Sequence, residues 1–185
     1  MSSDSSKRIW DEFTGGSQDA FARLYSDFYA QLIPYAKKIC QEKEMALDAV
    51  HNTFVYLWQN RESLKEVQSI KFYLLRSVRH ECIRLLKIKN QHSQLDEEEI
   101  LKIKIEAEEL VLTDLGKRSK ERVKQALEEL SDRQREIIYL KYFNNLDYDE
   151  IAEILDLNYQ SIVNSIHRSI KKLRETQVLE YLKDI

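Results

Sequence analysis

Apolar residues return at steps of three and four along most of this 185-residue chain, the period of amphipathic helices and not the alternation of half-buried strands. Phe21, Leu24, Phe28, Leu32, Ala36 and Ile39 share one face of a long helix that Ser17 can cap, and Pro34 is expected to bend it. Leu47, Val50, Phe54, Leu57 and Trp58 line one side of a second helix over 45–59. Leu74, Leu75, Val78, Cys82, Leu85 and Leu86 do so for a third over 71–89. These predict a first helical domain, 1–90.

The periodicity decays over 91–116, where DEEE is a solvated run and Ile103 and Ile105, set among lysines, fit a strand or a helix equally. This stretch reads as an acidic linker. Beyond it, Val123, Ala126, Leu127 and Leu130 mark a helix, and Ser131 with Gln134 makes a capping box for the next, over 133–143. Asn144 and Asn145 form a turn, and Asp147 with Glu150 makes a second capping box for a helix over 148–155. Asp156, Leu157 and Asn158 break the chain before a last helix over 159–174. The predicted fold class is therefore all-α: two small helical domains, 1–90 and 117–185, joined by an acidic linker, the second a four-helix bundle.

Composition narrows the function classes. Three glycines and one proline leave little material for the tight turns of a many-stranded sheet. No apolar run approaches the roughly 18 residues needed to cross a bilayer, and residues 1–8 are too polar for a signal peptide, so the expected location is the cytoplasm, without membrane insertion. Cys40 and Cys82 stand far apart among apolar residues at helical spacing and read as core thiols of a reducing compartment. The net charge of −3 conceals a segregation: 93–116 holds 8 acidic and 2 basic side chains, while 1–92 carries 14 basic against 11 acidic. The flanks must be read apart from the linker.

The segment YDEIAEILDLNYQSIVNSIHRSIKKLR has the pattern of a helix-turn-helix. Ile151 and Leu155 point inward, Ala152 is small where two helices cross, Leu157 can plug the turn, and Ile162, Ile166, Ile170 and Leu173 seat the last helix. At 100° per residue its opposite face carries Gln160, Ser161, Asn164, His167, Arg168 and Lys171, with Lys172 beside them. Polar side chains near the start of such a helix reach base edges in the major groove, and basic ones further along neutralise phosphates.

The helix over 71–89 discriminates further. Tyr73, Arg76, His80, Arg84 and Lys87 fall in one angular sector with Arg79 at its edge, and six Lys or Arg stand against Glu81 alone. Cations beside aromatic or imidazole faces are what unstacked, single-stranded nucleic acid requires. On the helix over 45–59, Asp48, Asn52, Val55 and Gln59 line up outward, a surface better suited to a partner helix than to DNA. His51 reads as a packed histidine at the core edge, because the paired Glu-x-x-His repeats of a carboxylate-bridged metal site are absent. No nucleophile, base and orienter set can be assigned, so the chain is expected to be no enzyme, with no metal and no cofactor.

Taken together, DAVHNTFVYLW, FYLLRSVRHECIRLL and LSDRQREIIYLKYFNNLDYDEIAEILDLNYQSIVNSIHRSIKKLR give a chain that over 9–175 resembles the extracytoplasmic-function (ECF) subfamily of RNA polymerase sigma factors. The resemblance implies a transcription initiation factor that binds core RNA polymerase and directs it to promoter DNA. It implies that Asp48 and Asn52, with His51, Val55 and Gln59, meet the coiled-coil clamp of the polymerase's largest subunit. Tyr73, Arg76, Arg79, His80, Arg84 and Lys87, with the loop over 61–69, would hold the melted non-template strand of the minus-ten element. Gln160, Ser161, Asn164, Ser165 and Arg168, flanked by Lys171 and Lys172, would read the minus-thirty-five element as duplex. An anti-sigma factor as inhibitor and a monomeric free state are also implied.

The chain departs from the family pattern at His80 (often Asn), Arg84 (an acid), Asp156 (Gly) and Val163 (Lys). Asp tolerates a left-handed turn, so the departure at 156 leaves the fold intact, while His80 and Val163 bear on base preference. The residues alone leave open a one-component helix-turn-helix regulator with a helical sensing domain. Such a protein would bind a palindromic duplex as a dimer without polymerase.

Overall fold

The computed structural model describes residues 3–64, 67–89 and 117–175, so the acidic linker expected over 91–116 lies outside the described residues. All regular structure among them is helical. The chain divides into two compact units, Met1–Ile100 and Leu101–Ile185.

The first unit contains α1 (Ser3–Thr14), α2 (Gln18–Cys40), α3 (Lys43–Asn60), a 3-10 turn (Arg61–Ser63) and α4 (Ile70–Lys89). Ser17 caps α2 by accepting from the Ala20 N–H at 3.2 Å, and the helix ends at Gln41, left-handed with φ 56°. It runs as one element through Pro34. Pro34 cannot donate to the carbonyl of Ala30, but both residues are exposed, so water can take the place of the missing N–H. Leu24, Leu32, Ala36 and Ile39 of α2, Val50, Phe54 and Leu57 of α3, and Leu74, Leu75, Val78 and Cys82 of α4 form the shared core. Both cysteine thiols are buried and unbridged.

α1 is an element that periodicity did not predict. Its apolar signal is only Ile9, Trp10 and Phe13, all three buried. It stops at Gly15 and Gly16, whose N–H groups return to Asp11 and Phe13, with Gly16 at φ 94° where a side chain would be strained. Two further expectations change. His51 is exposed and not packed at the core edge. Arg79 is only 2% exposed, because its position at the edge of the α4 sector turns inward onto the packed helices.

The second unit comprises α5 (Lys117–Glu128), α6 (Asp132–Tyr142), α7 (Tyr148–Leu155) and α8 (Tyr159–Glu175). Both capping boxes are closed by reciprocal bonds, Ser131 with Gln134 and Asp147 with Glu150. Asp156 takes the left-handed turn between α7 and α8 at φ 52°, and the Leu157 N–H bonds back to the Ala152 carbonyl at 2.9 Å. Ile162, Ile166 and Leu173 are buried where α8 packs on α6 and α7, while Ile170 is only half-buried and Ser169 takes the fully buried place beside it.

Candidate nucleic-acid interfaces

In the first unit α3 and α4 lie side by side and leave a groove of about 420 Å³ between them. Tyr73, Arg76, His80 and Arg84 line it from α4, as the helical sector implies, and Asn52 and Tyr56 line it from α3. Arg76, His80 and Arg84 are exposed and Tyr73 is half-buried. Lys87, half-buried one turn beyond Arg84, is not among the lining residues. Arg79, being buried, does not belong to this surface.

Three of the lining residues, Asn52, Glu81 and Arg84, form a network. Glu81 Oε1 accepts from Asn52 Nδ2 at 2.8 Å and from Arg84 Nη2 at 2.7 Å, and Glu81 Oε2 accepts from Arg84 Nε at 2.7 Å. Burial works to raise the Glu81 carboxyl, but the hydrogen bonds from Arg84 and Asn52 outweigh it and hold the group below the ordinary glutamate range. Arg84 is thus a paired cation that commits two of its five N–H donors to Glu81. Burial pushes the Tyr73 phenol above its ordinary value. Its ring meets that of Trp10 edge-on, with centroids 5.4 Å apart.

The row expected on α3 separates into two parts. Asp48, His51, Val55 and Gln59 are exposed, but Asn52 is half-buried and its amide is spent on Glu81, so it joins the groove. Tyr56, 56% exposed, stands between the row and the groove and carried no period-based signal. In the loop after α3, the Arg61 guanidinium lies 4.6 Å above the Trp58 ring and donates to the Trp58 carbonyl at 2.8 Å. Ser69 at the far end of the loop accepts from the Phe72 N–H and so caps α4. Lys65 and Glu66 of this loop lie outside the described residues.

In the second unit α8 exposes Gln160, Asn164, Arg168 and Lys171 along one face, with Ser161 and Ser165 half-buried at its margin. Asn158 opens the helix by accepting from the Ser161 N–H at 2.8 Å. Gln160 Nε2 donates to Asn164 Oδ1 at 3.1 Å, which aligns two amides on the turn nearest the helix start, and Arg168 Nε donates to the Asn164 carbonyl. Lys172 differs from its neighbours: its ammonium donates to the Glu129 carbonyl and ties α8 to the end of α5. Further along, His167, Arg168, Lys171 and Arg174 line a shallow cationic groove. Tyr159 was not anticipated. It is 49% exposed on the first turn of α8, its ring 5.9 Å from Tyr148, which in turn lies under the Lys141 ammonium at 4.8 Å. An apolar residue immediately ahead of the amide face was the available signal.

Among the described residues no group of His, Cys, Asp and Glu is arranged to hold a metal ion, and no helix is long and apolar enough to cross a membrane.

Both surfaces fall within stretches of the chain that match known family models. Residues 24–91 match the model of Sigma-70 region 2 and residues 120–173 that of Sigma-70, region 4, together about two thirds of the chain. The chain is 26% identical over 161 residues to RNA polymerase sigma factor YlaC of Bacillus subtilis, covering 85% of this chain and 92% of that protein. It is 27% identical over 149 residues to RNA polymerase sigma factor SigV of the same organism, covering 80% and 82%. The fold is shared with CnrH, solved in complex with the cytosolic domain of CnrY, at TM-score 0.60 and 18% identity over 92% of this chain and 96% of that one. It is shared equally with the sigma factor RpoE solved in complex with the anti-sigma factor NepR from Bartonella quintana, at TM-score 0.59 and 20% identity over 86% and 97%.

Proposed function

The chain belongs to the sigma-70 family as a sigma factor of the ECF subfamily carrying regions 2 and 4, and we propose that it docks on core RNA polymerase, opens promoter DNA through its first unit and reads upstream duplex through its second. The observation that carries this reading is the contrast between the two surfaces. The α3–α4 groove offers tyrosine rings, Arg76 and His80, a chemistry for bases out of the stack. The α8 face offers an aligned amide pair followed by cations, a chemistry for base edges and phosphates of intact duplex. One protein with both is equipped to open DNA at a set distance from an anchored site.

Polymerase docking falls to the exposed row of Asp48, His51, Val55 and Gln59, with Asn52 behind it joining the row to the groove. The domain limits that go with this division are 1–90 and 117–185, with 91–116 between them. An inhibitory protein partner completes the proposal, since among the described residues both surfaces are exposed within their own units, and two relatives of the same fold were solved bound to other proteins, one of them named an anti-sigma factor.

Run-off transcription with purified core polymerase, with and without the chain, on the promoters of its own and neighbouring genes tests the reading. Discrete transcripts that require the chain are expected. No chain-dependent transcript, together with tight binding of the free chain to a palindromic duplex as a dimer, would replace this reading with that of a one-component regulator.

A further inference from the structure

α1 precedes the residues matched by either family model, yet it reaches the strand-holding groove. Trp10 is 2% exposed, among the largest fully buried side chains of the protein. Its indole does not simply fill the core. Its ring meets that of Phe13 at 5.4 Å, and that of Tyr73 at 5.4 Å and 68°. Tyr73 is the groove's aromatic residue at the start of α4.

The rings continue from there. Phe13 stacks on Phe21 at 5.9 Å, Phe21 meets Trp58 at 5.1 Å, and Trp58 carries the Arg61 guanidinium above it. Arg61 opens the loop that α4 closes, and α1 also packs directly on the 3-10 turn of Arg61–Ser63. Gly16, at the end of α1, lies beside the same arginine: a Cβ there would sit 3.7 Å from Arg61 Nε. One short helix therefore touches both ends of the segment 61–73, at Arg61 and at Tyr73.

We propose that α1 is a brace, and that Trp10 is a positioning residue which holds the Tyr73 ring in place for a base of the separated strand. A tyrosine free to change rotamer must be ordered when a base stacks on it, and that ordering weakens binding. An edge-on indole, itself immobile in the core, orders the ring beforehand and leaves its other side to the groove. The inference rests on the strand-holding role proposed above for the first unit.

The test uses the full chain assembled with core polymerase and a fork-junction DNA built from the promoter mapped by run-off. Trp10→Leu is expected to weaken fork binding about two- to tenfold, the range of one aromatic contact or one immobilised side chain. It should leave co-purification with core and binding to upstream duplex unchanged. In the Tyr73→Ala background the same substitution should cost nothing further, a coupling that a general loss of stability would not produce. Trp10→Phe keeps a smaller ring, should give a smaller loss that also vanishes with Tyr73→Ala, and decides the matter where Trp10→Leu reduces helicity. Equal losses in both backgrounds, or fork binding unchanged by either substitution, would overturn the brace. A wild-type holoenzyme that holds the fork no better than closed duplex would instead overturn the strand-holding role, and the brace with it.

Discussion

Glu81→Gln is the most informative single change in the first unit, because the shape of the side chain stays and the charge goes. Glu81 receives two N–H bonds from Arg84 and one from Asn52, and the amide that replaces it can accept fewer of them and bears no charge. Charge-assisted bonds contribute about 1.5 to 3 kcal/mol where they are shielded. Glu81 is shielded, its side chain 16% exposed, but Arg84 is 55% exposed, so screening by water reduces the worth of the pair to about 1 kcal/mol. For the first unit, which melts as a domain of its own size, that corresponds to a fall of about 4 to 8 °C in Tm. The direction with pH follows from the lowered carboxyl. A group whose folded-state value lies below its unfolded one stabilises fully above the unfolded value, about 4.3 for glutamate, and loses that contribution as pH falls through the folded value. The deficit of the variant should therefore be complete at pH 7, begin to shrink once pH falls below about 4.3 and disappear only in stronger acid, below the folded value. The change also releases Arg84 as an unpaired cation. Binding of the holoenzyme to single-stranded promoter DNA should become more salt-sensitive, the slope of log K against log salt steepening by about 0.7 if Arg84 gains one phosphate. Circular-dichroism melts across pH and fluorescence anisotropy across salt measure the two effects. A variant as stable as the parent at pH 7, a deficit that persists undiminished in acid, or an unchanged salt slope would refute the network as described.

Three further outcomes follow from where side chains lie. Asp48→Arg with Gln59→Arg should abolish co-purification with core polymerase at unchanged helicity, since both residues are exposed and neither belongs to the groove; retention in a pull-down would remove the α3 row as the docking face. Arg79→Ala should lower stability by about 1 to 3 kcal/mol, because a buried arginine leaves its partners unsatisfied, and should leave the salt dependence of DNA binding alone, as denaturant titration and anisotropy would report. Tyr159→Ala and Asn164→Ala should each weaken closed-complex formation on duplex promoter, the second with a loss of about 1 to 3 kcal/mol of discrimination at one or two upstream base pairs, read from binding to a set of substituted promoters.

What was legible in the amino-acid sequence was what is decided locally. The boxes of Ser131 with Gln134 and Asp147 with Glu150, the Ser17 cap and the left-handed turn at Asp156 are settled within a few residues, and each is found where the spacing puts it. The helical face of Gln160, Asn164 and Arg168 is exposed for the same reason, because its burial depends on the period of α8 itself. What escaped is tertiary. The Asn52 to Glu81 bond spans 29 residues of sequence, and no periodicity within α3 could separate Asn52 from Asp48. Whether an edge position such as Arg79 is covered depends on what neighbouring helices bring over it, and Lys172 is occupied by a carbonyl 43 residues away. α1 carries too few apolar residues to register as a period, and its worth lies in Trp10 meeting a ring on another helix.

The division of labour between the two units is the central claim, and transcription on paired and bubbled templates tests it most directly. With core polymerase, Asn164→Ala with Arg168→Ala should lose activity on a fully paired promoter and recover it on a template already open around the start site. Arg76→Ala with His80→Ala should form closed complexes on the paired promoter normally but show reduced permanganate reactivity of thymines near the start. Equal loss by both pairs of substitutions on both templates would contradict the account, because the groove of α3 and α4 and the face of α8 would then not be separable surfaces.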